Sequence, residues 1–246
     1  MEIILKDNER IDDLQIKNLK IIQDTAGFCF GIDSILLSDF AKKIKRGAKV
    51  IDLGTGTGII SILLSAKTEL SNIIGIEIQP KVAEMAQRSV ILNGLQDKIN
   101  IINTDIRKLD DILPVGKYDA IVTNPPYMKE NTGLVNENSA KLISRHEVEC
   151  KLEDIARISY KMLKHNGEIY MVHRPDRLVD IMEIFRRYKL EIKDLRLVYP
   201  HKKTNANLVL VRAKKEANSF LKIHEPLYVY KENGEYDDEI LKIYNK

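Results

Sequence analysis

The middle of the chain alternates two apolar patterns. Short runs rich in Val and Ile end at turn-forming residues, and longer stretches with helical spacing lie between them. Residues 48–53 make the first run and stop at a glycine cluster, and 59–66 reads as the helix that follows. Residues 72–78 read as a second strand. Pro80 then opens a helix with Val82, Met85, Ala86, Val90 and Ile91 on one side. Proline suits a first helical turn, where its missing N–H is not needed. A third strand is expected over 98–103 and a fourth over 118–123, stopped by two prolines. Residues 152–164 read as a helix with a break after it at Gly167, 168–173 as a fifth strand and 176–188 as the next helix. Such alternation implies a parallel sheet covered on both faces. The last two runs, 192–198 and 207–211, are joined by a short segment opening on Tyr199, Pro200 and His201. A connection that short, with no helix, requires an antiparallel pair. The expected fold class is α/β, with a seven-stranded, mostly parallel sheet and an antiparallel C-terminal hairpin. Residues 1–46 are expected to pack on this core as an extension, 47–213 to form the main domain, and 214–246 to be a tail of it. Glu225–Tyr230 in that tail is a candidate for one more strand or for packing on the core.

The glycine cluster is Asp52-Leu53-Gly54-Thr55-Gly56-Thr57-Gly58, between the first strand and its helix. Glycines there let the backbone turn tightly and approach a ligand, and the helix start offers free N–H groups. Glu77 closes the second strand, where a carboxylate accepts ribose hydroxyls. The pairing fits a nucleoside-containing cofactor. An acid ahead of the glycines suits a cationic amino group through a charge-assisted contact, which favours S-adenosylmethionine over a pyrophosphate dinucleotide. Asp105 follows the third strand and is placed either to accept an adenine amino group or to cap the helix beginning near Arg107. Ile78 and Ile106, next in line to Glu77 and Asp105, complete the expected cofactor-binding set with Asn124.

Asn124-Pro125-Pro126-Tyr127 ends the fourth strand. In open α/β sheets, ligands sit outside the carboxyl ends of the strands, and the first and fourth strands flank the switch point. An aromatic amino group is a poor nucleophile because its lone pair is delocalised. Two acceptors aimed at its N–H protons favour a pyramidal nitrogen: the Asn124 side-chain oxygen and the Pro125 carbonyl. The prolines hold that backbone still. Tyr127 offers a face on which the base can stack, worth about 1–3 kcal/mol. Asn124, Pro125, Pro126 and Tyr127 are therefore the candidate catalytic residues.

Together these motifs make the chain resemble the class I amino-methyltransferases, with a Rossmann-like fold. More narrowly, it resembles the bacterial valine-tRNA adenine-N6 methyltransferases. The narrower likeness rests on the segment 28–37, on Ser144-Arg145-His146-Glu147, on His173–Leu178, on Tyr199-Pro200-His201 and on Leu208–Lys215, and it covers nearly the whole chain. It implies N6-methylation of the adenosine 3′ of the anticodon, with the tRNA anticodon stem-loop as partner. It also implies that an N-terminal flap carrying Asp33 touches the cofactor. The Asn-Pro-Pro-Tyr element is shared with protein-glutamine N5 methyltransferases and some DNA adenine methyltransferases. The former normally carry a helical N-terminal domain and the latter a target-recognition insert; only about 45 residues precede the first strand here, and no insert is evident. An RNA-binding protein with a decayed methyltransferase fold is the non-enzyme alternative, and intact Asp52, Glu77 and Asn124 argue against it.

Composition adds little. The net charge is +3, and 44% hydrophobic with 30% charged residues is ordinary for a globular protein. The mild basicity permits RNA binding. Arg145, His146, Arg174, Arg177, Lys202 and Lys203 are the candidate RNA contacts, and residues 128–144, rich in Asn, Glu, Gly and Ser, are expected to form a mobile loop that orders over the target base. Runs at Lys42–Arg46 and Arg186–Arg187 read as solvated faces. Cys29 and Cys150 lie far apart and are expected as buried thiols, and no His spacing suggests a metal. Neither an apolar span nor a signal-peptide core is present, so a cytoplasmic protein is expected; a monomer is favoured, with the oligomeric state left open.

Overall fold

The computed structural model describes residues 4–27, 29–126 and 151–244. In chain order the strands are β1 (Glu9–Asp13), β2 (Lys20–Asp24), β3 (Lys49–Leu53), β4 (Asn72–Glu77), β5 (Ile99–Asn103), β6 (Tyr118–Thr123), β7 (Leu163–His173), β8 (Leu190–Tyr199), β9 (Leu208–Lys215), β10 (Lys222–Ile223) and β11 (Leu227–Tyr228). The helices are α1 (Ile32–Phe40), α2 (Ile59–Lys67), α3 (Pro80–Leu92), the single turn α4 (Leu109–Ile112), α5 (Leu152–Met162), α6 (Leu178–Arg187) and α7 (Asp238–Ile243). Strand order across the main sheet is β10-β8-β9-β7-β6-β3-β4-β5, with β11 also on β8. β3 to β7 are mutually parallel where they pair, and β9 inserts antiparallel between β7 and β8. The expected seven strands thus form the body of the sheet, and two two-residue strands from the tail extend its edge.

Successive residues of each central strand enter opposite cores, because side chains alternate across a sheet. Val50, Ile73 and Val122 face a core built with α1 and α2, whereas Ile51, Ile74 and Ile121 face one built with α5 and α6. Burial on both faces explains why these strands read as continuous apolar runs. The first core also takes Leu14 and Ile21 from the N-terminal segment and Leu227, Val229, Ile240 and Ile243 from the tail. β1 and β2 form an antiparallel hairpin. It is fastened to α3 by the Ile22 N–H donating to Ser89 Oγ at 3.0 Å and by Arg88, which donates to both oxygens of Glu9 at 2.5 and 2.7 Å.

Three expectations need correction. The helix expected over 152–164 ends at Met162, because Leu163 is fully buried and already pairs with Tyr118 of β6. Gly167 is not a break after the helix: it lies inside β7, in the irregular stretch where Leu163 and Glu168 pair with Tyr118 and Ala120. Cys29 is half-buried rather than buried, with its Sγ 3.8 Å from the Asp24 carbonyl; Cys150 lies outside the described residues. Among the described residues, no helix is long and apolar enough to cross a membrane.

Gly75 sits in the middle of β4, against the glycine loop. A Cβ there would lie 2.7 Å from Ile101 Cδ1 and 3.0 Å from both Thr55 side-chain atoms Cγ2 and Oγ1. Gly75→Ala should therefore cost about 1–3 kcal/mol of stability by overpacking. Chemical denaturation checks this, and an unchanged midpoint would contradict the packing described.

Candidate functional site

The carboxyl ends of β3, β4, β5 and β6 lie side by side. Leu53 is level with Ile76 on one side and Thr123 on the other, and Glu77 is level with Asn103. The chain runs outward from β3 to β4 and β5, then returns to place β6 on the opposite side of β3. That reversal opens the crevice at which α/β sheets bind ligands. Thr123 Oγ1 donates to the Leu53 carbonyl at 3.0 Å and ties the two flanking strand ends together.

The loop after β3 turns through left-handed backbone at Gly54 (φ 71°) and Gly56 (φ 56°). A Cβ on either would meet nothing within 4 Å, so the loop presents bare backbone to open space. Gly58 follows and begins α2. Asp52 lies beneath the loop with no exposed surface. Its Oδ2 accepts from Thr55 Oγ1 at 2.7 Å and Ser61 Oγ at 2.8 Å, while its Oδ1 is buried with no partner. Burial pushes the Asp52 carboxyl up to about 6, and the two hydroxyls only partly oppose this. A buried carboxylate oxygen without a donor is costly, and a cationic group delivered to it removes that cost.

A stability prediction follows from the raised value. The folded chain holds the Asp52 proton up to about 6, whereas the unfolded chain releases it near 3.8. The contribution is fully present below the unfolded value and is lost as pH rises through about 6, on the order of 3 kcal/mol in total. Denaturation of the ligand-free protein between pH 4 and 7 should show that decline, and Asp52→Asn should flatten it. Parallel curves for the two proteins would contradict the assignment.

Glu77 is also buried. Its Oε2 accepts from the Gly56 N–H at 3.1 Å and its Oε1 from the Gln79 N–H at 2.9 Å, so the acid at the end of β4 is locked to the glycine loop after β3. Asn103 Nδ2 braces the same turn by donating to the carbonyls of Glu77 (2.8 Å) and Ile78 (3.0 Å). Asp105 follows β5 as a cap: it accepts the Arg107 N–H at 2.9 Å, and the Arg107 guanidinium beside it holds its carboxyl below the usual range. Ile78 is half-buried, and Ile106 is buried in the core that α5 and α6 cover.

Asn124 emerges from β6 half-buried, with Pro125 buried behind it and Pro126 exposed. Its Nδ2 donates to Asp33 Oδ2 at 3.0 Å and lies 3.3 Å from Ser34 Oγ, both in the first turn of α1. Asp33 is therefore brought to the tetrapeptide. Tyr127, Arg145, His146 and the 128–144 segment lie outside the described residues.

The remaining basic candidates are at or near the same edge, though most are engaged. Arg174, just after β7, donates to the Asn207 carbonyl at 3.1 Å; Arg177 pairs with Asp180 at 2.7 Å; Lys203 pairs with Glu232 at 3.3 Å; Lys202 is exposed. His173, at the end of β7, accepts the Arg174 N–H on Nδ1, and burial pushes its pKa down to about 4, so it is neutral near pH 7. The runs expected as solvated faces are ion-paired: Lys42 with Asp39, Lys45 with Asp119, Arg186 with Glu191. Among the described residues, no group of three or more His, Cys, Asp or Glu side chains is arranged to hold a metal.

Sequence reasoning missed Thr55 and Ser61, which hold Asp52, and Asn103, which braces Glu77. It also missed Ser34 beside Asn124. Thr55 stood inside the glycine motif and was open to notice; the others are joined only by the fold.

Comparison with known proteins agrees with this geometry. Residues 28–191 match the family described as Methyltransferase small domain. A tRNA1(Val) (adenine(37)-N6)-methyltransferase of Porphyromonas gingivalis is 27% identical over 239 residues, which span 94% of this chain and 93% of the relative. Among solved structures, a predicted O-methyltransferase from Agrobacterium tumefaciens superposes with a TM-score of 0.69 at 19% identity, covering 87% of this chain and 95% of the other. TYW2 of Pyrococcus horikoshii, solved in complex with MeSAdo, gives 0.62 at 15% identity over 86% and 73%. These two share the fold. The family match spans two-thirds of the sequence, from the segment before α1 into β8, and takes in the glycine loop, Glu77 and Asn124: the chain belongs to the Methyltransferase small domain family.

Proposed function

We propose that this chain methylates the exocyclic N6 of an adenine in tRNA, using S-adenosylmethionine. The observation that carries the reading is the placement of Asn124 and Pro125 beside an open glycine cradle walled by Asp52 and Glu77. The cradle fits the cofactor: Gly54 and Gly56 face empty space, and Asp52 Oδ1 is a buried acceptor awaiting a cation. S-adenosylmethionine, when bound, supplies an electrophilic methyl group.

The protein's own residues do the rest. Asp52 takes the amino group of the cofactor's methionine, Glu77 takes ribose hydroxyls, and the exposed loop backbone at Gly54 and Gly56 permits close approach. Asp105 and the chain at Ile78 and Ile106 border the adenine end. Asn124 Oδ1 and the Pro125 carbonyl accept the two N–H protons of the target amine and pyramidalise its nitrogen. No strong base is required, because the nitrogen becomes acidic once alkylated and its proton passes to water. In-line positioning supplies much of the remaining acceleration.

The relatives' printed name and the likeness across nearly the whole chain support a finer substrate, the adenosine at position 37 of a valine tRNA. An anticodon loop offers an unpaired base, which spares the enzyme the cost of extrusion. Exposed Lys202, with Arg174, Arg177 and Lys203, borders the edge where the RNA backbone would pass, and Tyr127 is the stacking partner proposed for the base. We place the protein in the cytoplasm as a monomer acting on this RNA.

The test is to incubate the protein with methyl-labelled S-adenosylmethionine and, in parallel, total tRNA, genomic DNA and a bacterial protein extract. Label is expected in tRNA. Label in DNA or protein with none in tRNA would sink the RNA assignment.

A further inference from the structure

Asn124 is oriented from the far side of the chain. Asp33 and Ser34 sit in the first turn of α1, 91 and 90 residues upstream. Asp33 is only 9% exposed and divides its two oxygens: Oδ1 accepts the Ser34 N–H at 2.9 Å, and Oδ2 accepts Asn124 Nδ2 at 3.0 Å. Ser34 Oγ lies 3.3 Å from the same Nδ2. The chain is shaped to allow this. A Cβ on Gly31 would lie 2.9 Å from Asp33 Oδ1, so a side chain at position 31 would push the carboxylate out of place.

A carboxylate oxygen only accepts hydrogen bonds. Facing one, the Asn124 amide must turn its NH2 toward α1, which directs its Oδ1 to the other side. An amide with no such constraint flips readily, and the flipped form would set N–H against the N–H of a target amine. We infer that Asp33 is a positioning residue for methyl transfer: it fixes the Asn124 amide so that Oδ1, not Nδ2, meets the substrate. This rests on the reading of Asn124 as the acceptor for the amine. Asp33 itself touches no reacting atom.

The two residues form a donor–acceptor pair that can be exchanged, which gives a stringent test. Asp33→Asn can both donate and accept, so it satisfies either orientation of Asn124; kcat for tRNA methylation should fall roughly 10–10²-fold. Asn124→Asp sets two carboxylates face to face at the present 3.0 Å spacing and should lose at least as much. The swapped pair, Asp33→Asn with Asn124→Asp, restores one donor and one acceptor and still offers the substrate a carboxylate oxygen. Its kcat should exceed that of either single variant by about tenfold, a coupling that independent losses do not produce. The KM for tRNA should stay within about threefold of wild type throughout, so that the losses fall on kcat. Gly31→Ala, which keeps both residues but displaces the Asp33 carboxylate, should lower kcat in the same manner and serves if the charged-pair variants fail to fold.

A swapped pair no better than its worse single variant, or losses confined to KM, would overturn the positioning role. Wild-type protein assayed alongside separates the two claims. Labelled tRNA without coupling between the residues refutes the role of Asp33 alone. No label in tRNA refutes the function, and the role of Asp33 falls with it.

Discussion

Asn124→Ala is expected to lower kcat for tRNA methylation by about 10²–10³-fold, with a much smaller change in the KM for RNA. The size follows from the loss of one preorganised group aimed at charge that develops on the reacting nitrogen. Asn124 is rigid for reasons visible in the fold. Thr123 is bonded to the end of β3, Pro125 is buried, and the amide is held by Asp33 and Ser34. Alanine removes the acceptor and leaves the backbone free of new strain, since the fixed prolines follow it. It also leaves the buried Asp33 carboxylate short of a donor, so a drop in stability should accompany the drop in rate. A variant that kept more than about a third of wild-type kcat would be incompatible with an acceptor role of this magnitude.

Asp52→Ala should weaken S-adenosylmethionine binding by roughly 10–10²-fold, the usual worth of a charge-assisted hydrogen bond to a buried group. The same contact gives a pH signature. Asp52 must be ionised to take a cation, and burial holds its carboxyl at about 6 in the free protein. Affinity for the cofactor should therefore rise as pH increases through about 6 and level off above it. Asp52→Asn should bind weakly at every pH and lose that rise. Calorimetric titration from pH 5 to 8 reads both effects; pH-independent affinity in the wild type would contradict the placement of the cation at Asp52. The raised carboxyl also means that the ligand-free site carries an unfavourable feature which the ligand relieves, a pattern common at functional sites.

The succession of strands and helices was legible because the central strands are buried on both faces. Val50 and Ile51, Ile73 and Ile74, and Ile121 and Val122 are neighbours that serve opposite cores, so each strand appears as an unbroken apolar run closed by Gly or Pro. The hairpin was not legible. β1 is Glu-Arg-Ile-Asp-Asp, mostly exposed, and carries no apolar alternation. β10 and β11 have two residues each, too few for any period to register. The start of β7 was mistaken for helix because Leu163 continues the apolar spacing of α5; pairing with Tyr118 decides otherwise.

The site divides along the same line. Asp52, the glycines and Glu77 stand in short motifs at strand ends, where sequence and position coincide. Asp33 was expected through resemblance alone, as part of a flap at the cofactor. Its bond to Asn124 joins residues more than 90 positions apart, and no local pattern announces it. Thr55 and Ser61 converge on Asp52 Oδ2 from the loop and the helix after it, with left-handed turns at Gly54, Gly56 and Gly58 between them.

The central claim is that this geometry methylates the amino group of adenine. Its most direct test is nucleoside analysis of tRNA after reaction with wild-type protein and with Asn124→Ala. The account predicts N6-methyladenosine from the wild type, arising in valine tRNA beside the anticodon, and its near-complete loss in the variant. A methylated product other than N6-methyladenosine, or the same yield from both proteins, would contradict it.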